Sequence, residues 1–253
     1  LAKFKKAKVS LPGGCAIGSR PVDLHLFALK KMGAKIKIKN GYIYASAKNG
    51  LIGAKINFPK ISVGATENAI IAAAHAKGKT TLWNCSIEPE VQDLIFFLNN
   101  LGCNIRLKKR NIVIVGMFEP KIISYEIMFD RIEAGTYLIA SALAGKKISI
   151  LKVKPSVIDT EIKILKKMGV KITTKKNKII IHKSNKINKT NIVTAPYPGF
   201  PTDLQAQMMV LMTKAQGISK IKENIFENRF MHVPELKRMG AKIKIKNNTA
   251  FIE

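Results

Sequence analysis

Carboxylates are scarce in this sequence. Its 253 residues hold 16 Asp plus Glu against 44 Lys plus Arg, a formal net charge of +28 that excludes an acidic or neutral protein. Cysteine is sparse too. Cys15, Cys85 and Cys103 are an odd number with no C-x-x-C spacing and no nearby His partner, so neither a disulfide framework nor a zinc site is indicated. A reducing, cytoplasmic setting is expected. The longest apolar stretches, around Ala69 to Ala74 and Tyr137 to Ala144, end well before the roughly 18 residues a membrane span needs, so no membrane role is expected. After the basic start at Leu1 to Lys8, Pro12-Gly13-Gly14 arrives before any apolar leader segment could form.

What is present is enough apolar material for a core, 47% of residues with 24% charged. Excess cations can mark a nucleic-acid surface. Here the lysines alternate with isoleucines, as in Lys35-Ile36-Lys37-Ile38-Lys39 and Lys242-Ile243-Lys244-Ile245-Lys246, the period-2 signature of strands with one wet face. The charge also runs along the whole chain. Solvated strand faces are therefore preferred to a nucleic-acid patch, and no nucleic-acid partner is expected.

The chain repeats itself. Gly33, Gly102, Gly169 and Gly240 stand about 70 residues apart. Counting back from each, apolar residues recur one, four and seven positions earlier: Met32, Leu29 and Leu26; Leu101, Leu98 and Ile95; Met168, Leu165 and Ile162; Met239, Leu236 and Val233. That spacing is one helix face, and an alternating strand begins three residues after each glycine, which places the glycine at the helix C-terminus in a left-handed backbone. A second helix is expected at about 64 to 77, 130 to 144 and 202 to 215, with capping boxes at Asp130-x-x-Glu133 and Thr202-x-x-Gln205. The fold class is therefore α/β, built of βαβαββ units. Three units are expected complete, at about 50 to 116, 120 to 183 and 190 to 253, and residues 1 to 48 supply the second half of another.

Departures from the repeat are where function is expected. Eleven residues before the glycine stand Val22, Val91 and Ile158, but in the last unit Arg229. Either a charge breaks the stripe, or the helix starts a turn later and leaves Arg229 solvated. The loop Ser10 to Pro21 carries three glycines, two prolines and Cys15, and no other unit has its like. It reads as a phosphate-binding lid, with Arg20 and the helix start at Pro21 as donors, or as a plain surface loop with an incidental thiol. Two more helix starts have capping or small residues at the dipole end, Lys60 to Thr66 and Gly199 to Asp203. Asp203 there is either functional or a compensating first-turn acid.

Taken together, Pro12-Gly-Gly-Cys-Ala-Ile-Gly-Ser-Arg-Pro-Val-Asp-Leu-His25, Lys60-Ile-Ser-Val-Gly-Ala-Thr66, Glu88-Pro-Glu90, Asp130-Arg-Ile-Glu-Ala-Gly-Thr136, Phe200-Pro-Thr-Asp-Leu-Gln-Ala-Gln207 and Phe226-Glu-Asn-Arg-Phe-Met-His-Val-Pro-Glu-Leu236 closely resemble the UDP-N-acetylglucosamine 1-carboxyvinyltransferases, an enolpyruvyl transferase family. The resemblance spans almost the whole chain. It implies a two-domain inside-out barrel of six βαβαββ units, incomplete here, with one lobe over 1–128 bearing the cysteine loop and the second over 129–253. It implies a polypeptide of roughly 400 residues, whose N-terminal and C-terminal repeats are missing from this chain together with the charged residues that complete the phosphoenolpyruvate site.

The implied reaction moves an enolpyruvyl group from phosphoenolpyruvate to the 3-hydroxyl of UDP-N-acetylglucosamine, releasing phosphate, with neither metal nor organic cofactor. By residue matching, Cys15 is the proton donor that fosfomycin alkylates and that can carry a pyruvate adduct, and Asp203 is the base at the 3-hydroxyl. Arg20, Pro21, Val22, Asp23 and Leu24, with Lys60, Ile61, Ser62, Val63 and Gly64, hold the nucleotide, and Ile225, where the family commonly has Val, makes a backbone contact. Glu88, Asp130, Arg131 and Arg229 are expected behind these. The rivals are enolpyruvylshikimate-phosphate synthase, a noncatalytic UDP-sugar-binding remnant, and an RNA-modifying enzyme like the RNA 3′-phosphate cyclases. The first shares the fold and transfer chemistry but lacks the cysteine loop, so the run Gly14-Cys15 to His25 argues against it.

Overall fold

A computed structural model describes residues 1–13 and 21–253, and the chain divides after Met128 into two compact units. The first unit runs β1 (Lys6–Ser10), α1 (Asp23–Lys31), β2 (Lys35–Lys39), β3 (Tyr42–Ser46), β4 (Lys55–Asn57), α2 (Val63–Ala74), β5 (Lys79–Trp83), α3 (Pro89–Asn100), β6 (Asn104–Lys108) and β7 (Asn111–Val115). Its strands form a three-stranded antiparallel sheet, β1-β3-β2, and a four-stranded sheet, β4-β5-β7-β6, in which only the β4–β5 pair is parallel. Ile112 and Ile114 of β7 face inward and are fully buried against Leu82, Ile70 and Val91, while the intervening Val113 points outward. The alternation that the sequence shows is thus the inside and outside of each sheet.

The second unit continues with α4 (Arg131–Ala144), β8 (Ile148–Leu151), a 3-10 turn (Pro155–Ile158), α5 (Asp159–Lys167), β9 (Ile172–Lys175), β10 (Lys178–Ile181), β11 (Asn191–Val193), a second 3-10 turn (Thr202–Leu204), α6 (Gln205–Met212), β12 (Ser219–Lys222), α7 (Val233–Arg238), β13 (Ile243–Lys246) and β14 (Thr249–Ile252). Sheet β11-β12-β14-β13 repeats the order and the single parallel pair of the first unit's four-stranded sheet. The core gathers Leu138, Ile158, Leu165, Met168, Leu204 and Met208.

Helix endings show why the repeat is visible. Gly33, Gly102, Gly169 and Gly240 all take positive φ, between 89° and 113°. In each case the amide after the glycine closes onto the carbonyl five residues back: Ala34 to Leu29, Cys103 to Leu98, Val170 to Leu165 and Ala241 to Leu236, at 2.9 to 3.0 Å. A side chain with a Cβ resists this backbone, so glycine recurs wherever the helix must turn sharply into a strand.

The structure departs from the expected pattern in three places. The middle repeat has no opening strand, and its sheet is the three-stranded β8-β10-β9. Residues 117 to 129 instead use their polar groups along the end of α3: Lys121 N–H donates to Leu101 O at 2.8 Å, and Tyr125 donates its hydroxyl to Asp93 Oδ1 at 2.8 Å. The capping box at Thr202 does not form, because the helix opens with a 3-10 turn headed by Pro201 and the Thr202 hydroxyl goes to Glu223. Met239, one of the stripe residues, is 84% exposed, because α7 ends at Arg238 after six residues and only its Val233 is fully buried.

Candidate functional site

In the first unit the candidate residues gather where α1 meets α2. Leu24 anchors α1 in the core, and Val22 stands at its N-cap with Asp23 in the first turn. Helix α2 begins after Ser62, whose Oγ accepts from Ala65 N–H at 3.4 Å, and the Thr66 hydroxyl donates to Ser62 O at 2.7 Å. His25 closes the gap between the helices: a methyl group built on Gly64 would lie 3.3 Å from its Cε1. Pro21 to Leu24 and Lys60 to Gly64, far apart in sequence, therefore lie side by side. The outward amides of a helix N-terminus and the exposed Lys60 make this end of α2 suited to an anion. Burial lowers the pKa of His25, with Asp23 acting in the opposite sense.

Behind α2, Thr66 Oγ1 accepts from Ser86 N–H at 3.0 Å and so ties α2 to the turn before α3. Glu88, 5% exposed, precedes α3. Burial raises the pKa of the neighbouring Glu67, and the charges of Glu90 and Glu88 add to the effect. Cys15 and Arg20 lie outside the described residues. An open depression of about 520 Å³ on the face of β1-β3-β2, lined by Lys6, Lys8, Lys35, Lys37 and Tyr44, contains none of the candidate residues.

In the second unit Asp203 lies in the 3-10 turn before α6, its side chain 55% exposed. Arg229 Nη2 donates to Asp203 Oδ1 at 2.6 Å. Both expectations for Arg229 were incomplete. Helix α7 does start a turn later, at Val233, yet the arginine is not solvated: its side chain is 18% exposed, its Cζ lies 5.6 Å from the Phe226 ring centroid, and its guanidinium holds the carboxylate. Ile225 is exposed in the turn after β12, and its N–H donates to Glu223 Oε1 at 2.8 Å. Asp130 caps α4, accepting from Ile132 and Glu133 N–H at 2.7 and 3.1 Å. Arg131 is buried beside Glu161, whose pKa is raised by burial while Arg131 pulls it back down.

Sequence reasoning missed two residues around Asp203 and Arg229. Glu223 is an isolated acid at a strand end, with no spacing to mark it. His232 is half-buried and bonded to the Arg229 backbone, and its Nε2 has no hydrogen-bond partner; burial lowers its pKa and the charge of Arg229 adds to the effect. Among the described residues, no group of three or more His, Cys, Asp or Glu is arranged to hold a metal ion, and no helix is long and apolar enough to cross a membrane.

A family model described as EPSP synthase (3-phosphoshikimate 1-carboxyvinyltransferase) matches residues 1–253. The UDP-N-acetylglucosamine 1-carboxyvinyltransferase of Pelagibacter ubique is 65% identical over 254 residues, covering 100% of this chain and 61% of that protein. The protein of the same name from Vesicomyosocius okutanii is 52% identical over 251 residues, covering 98% and 60%. Among solved structures, the enolpyruvyl transferase NikO from Streptomyces tendae superposes with a TM-score of 0.86 at 20% identity, over 100% of this chain and 60% of its own. An EPSP synthase from Acinetobacter baumannii gives 0.71 at 18% identity, over 97% and 59%. These two likenesses concern the fold. The chain spans about 60% of the length of the curated relatives it matches.

Proposed function

Since the chain belongs to the EPSP synthase (3-phosphoshikimate 1-carboxyvinyltransferase) family, we propose that it is part of an enolpyruvyl transferase whose acceptor is UDP-N-acetylglucosamine, the enzyme of the first committed step of peptidoglycan synthesis. The observation that carries the choice of acceptor is the 65% identity, over the whole chain, to a protein of that name. On this reading the protein works in the cytoplasm and serves cell-wall biogenesis, and through it cell shape, the cell cycle and division. The units divided at Met128 and Phe129 correspond to its two lobes. The comparisons lend no support to the RNA cyclase or remnant readings.

The chemistry follows from what each group can give or take. Arg229 engages Asp203 Oδ1 and fixes the carboxylate plane, which leaves Oδ2 to accept the proton of the sugar 3-hydroxyl. The freed oxygen bonds to C2 of phosphoenolpyruvate while the Cys15 thiol delivers a proton to the methylene carbon, C3, giving a tetrahedral adduct. Loss of one methyl proton from C3, back to the Cys15 thiolate, and of phosphate from C2, which carries off the proton held by Asp203, restores the double bond, now on the sugar ether. The balance is one phosphoenolpyruvate and one sugar nucleotide in, one enolpyruvyl ether and one inorganic phosphate out. Pro21 to Leu24 and Lys60 to Gly64, brought together by α1 and α2, take the uridine diphosphate with Arg20, and the Ile225 backbone takes the sugar.

Asp203→Asn keeps the shape of the side chain and removes its basicity. Phosphate release that depends on the sugar nucleotide is expected to fall by about 10²- to 10⁴-fold, with the substrate KM values little changed. A variant with undiminished kcat would remove Asp203 from the chemistry.

A further inference from the structure

Glu223 is a buried carboxylate, 3% exposed, at the end of β12. Its bonds go to separate parts of the second unit. Oε1 accepts from the Thr194 hydroxyl at 2.8 Å, from Ile225 N–H at 2.8 Å and from Phe226 N–H at 3.2 Å. Oε2 accepts from the Thr202 hydroxyl at 3.0 Å. Its own backbone is held in turn, with N–H donating to Asn248 O at 2.8 Å and O accepting from Asn248 Nδ2 at 3.1 Å. Four donors on one buried carboxylate satisfy the charge and fix the side chain tightly, because such bonds are short and strong where water is excluded.

The donors are what give the arrangement meaning. Ile225 carries the peptide assigned to the sugar nucleotide, and Phe226 lies under the guanidinium of Arg229. Thr202 is the residue before Asp203, and its hydroxyl, expected to cap a helix, is used here instead. One oxygen thus holds the turn that meets the substrate, and the other holds the turn that carries the base. We propose that Glu223 is a positioning residue that sets the Ile225 backbone and the Asp203 carboxylate at a fixed separation without touching substrate. The inference rests on the proposed function and adds to it a residue whose role is geometric.

Three substitutions separate this from a merely structural role. Glu223→Ala frees both turns. Thr202→Val removes only the bond to Oε2 and leaves the Ile225 turn intact, so it remains informative should Glu223→Ala fold poorly. Glu223→Gln can keep the network, with its amide oxygen taking the bonds of Oε1 and its amide nitrogen donating to Thr202 Oγ1. Steady-state kinetics on the whole polypeptide as encoded, with each substrate varied in turn, read the outcome. Glu223→Ala is expected to raise KM for UDP-N-acetylglucosamine about tenfold and to lower kcat about tenfold, with KM for phosphoenolpyruvate unchanged. Thr202→Val is expected to lower kcat alone, and Glu223→Gln to restore most of both.

A structural role would lower the folded fraction, read by circular dichroism of each variant, and leave every KM and the kcat per folded molecule where they were. That result for Glu223→Ala, or for Thr202→Val a kcat equal to the parent's, overturns the proposal. A parent protein that shows no sugar-dependent phosphate release overturns the function beneath it, and the proposal falls with it.

Discussion

Burial sorts the thiols of this chain. Cys85 is fully buried and its pKa is pushed up to about 12, chiefly by desolvation; Cys103 is 7% exposed and raised to about 11 by the same cause. Near neutral pH their thiolate fractions fall below about 10⁻³, so neither can act as a nucleophile. If the proposed function holds, fosfomycin is expected to add one equivalent, at Cys15 and at neither buried thiol, and Cys15→Ser is expected to abolish both labelling and turnover; intact-mass analysis showing label on Cys85 or retained label in the variant would contradict this. His232 gives a pH signature. Its folded pKa lies below the ordinary 6.5, so the unfolded chain binds more protons in the window beneath 6.5. The stability it contributes is complete above pH 6.5 and is lost as pH falls toward the folded pKa. Melting temperatures between pH 5 and 7.5 are expected to drop on acidification, and less steeply in His232→Asn; identical slopes would remove His232 from the account.

Helices and strands were largely legible before any coordinates, because their ends carry a strong local demand. A glycine at positive φ after each helix, an apolar residue at fixed distances before it and alternation after it are constraints of backbone geometry and burial, and they recur four times. Illegible were the places where a side chain or backbone found a distant partner. Nothing local says that the Thr202 hydroxyl prefers Glu223, 21 residues on, to its own helix start, or that residues 117 to 129 bond along α3 instead of opening a sheet. The Asp203–Arg229 pair is of the same kind: each residue was singled out, but their contact across 26 positions was not. Close packing between elements makes a further prediction. A methyl group on Gly135 of α4 would collide with the Leu204 side chain, next to Asp203. Gly135→Ala is expected to destabilise the second unit by about 1–3 kcal/mol, as measured by urea unfolding, and an unchanged midpoint would show that Leu204 yields freely.

For the molecule as a whole, the charge of +28 is a weak guide and the repeat a strong one. Where lysines alternate along strands they lie on the exposed face, as in β2 (Lys35, Lys37, Lys39) and β12 (Lys220, Lys222), and solvation accounts for them there. The repeat agrees with the family that the local motifs resemble, and the family model covers residues 1–253. What the family leaves open is the acceptor, because its model bears the name of a shikimate enzyme while the curated relatives act, by name, on a nucleotide sugar. The direct measurement is therefore a comparison of acceptors: the whole polypeptide as encoded, phosphoenolpyruvate, and either UDP-N-acetylglucosamine or shikimate 3-phosphate, with phosphate release and the mass of the product followed together. The account predicts equimolar phosphate and enolpyruvyl UDP-sugar with the first acceptor and neither product with the second. Transfer to shikimate 3-phosphate, or no transfer to the nucleotide sugar, would contradict it.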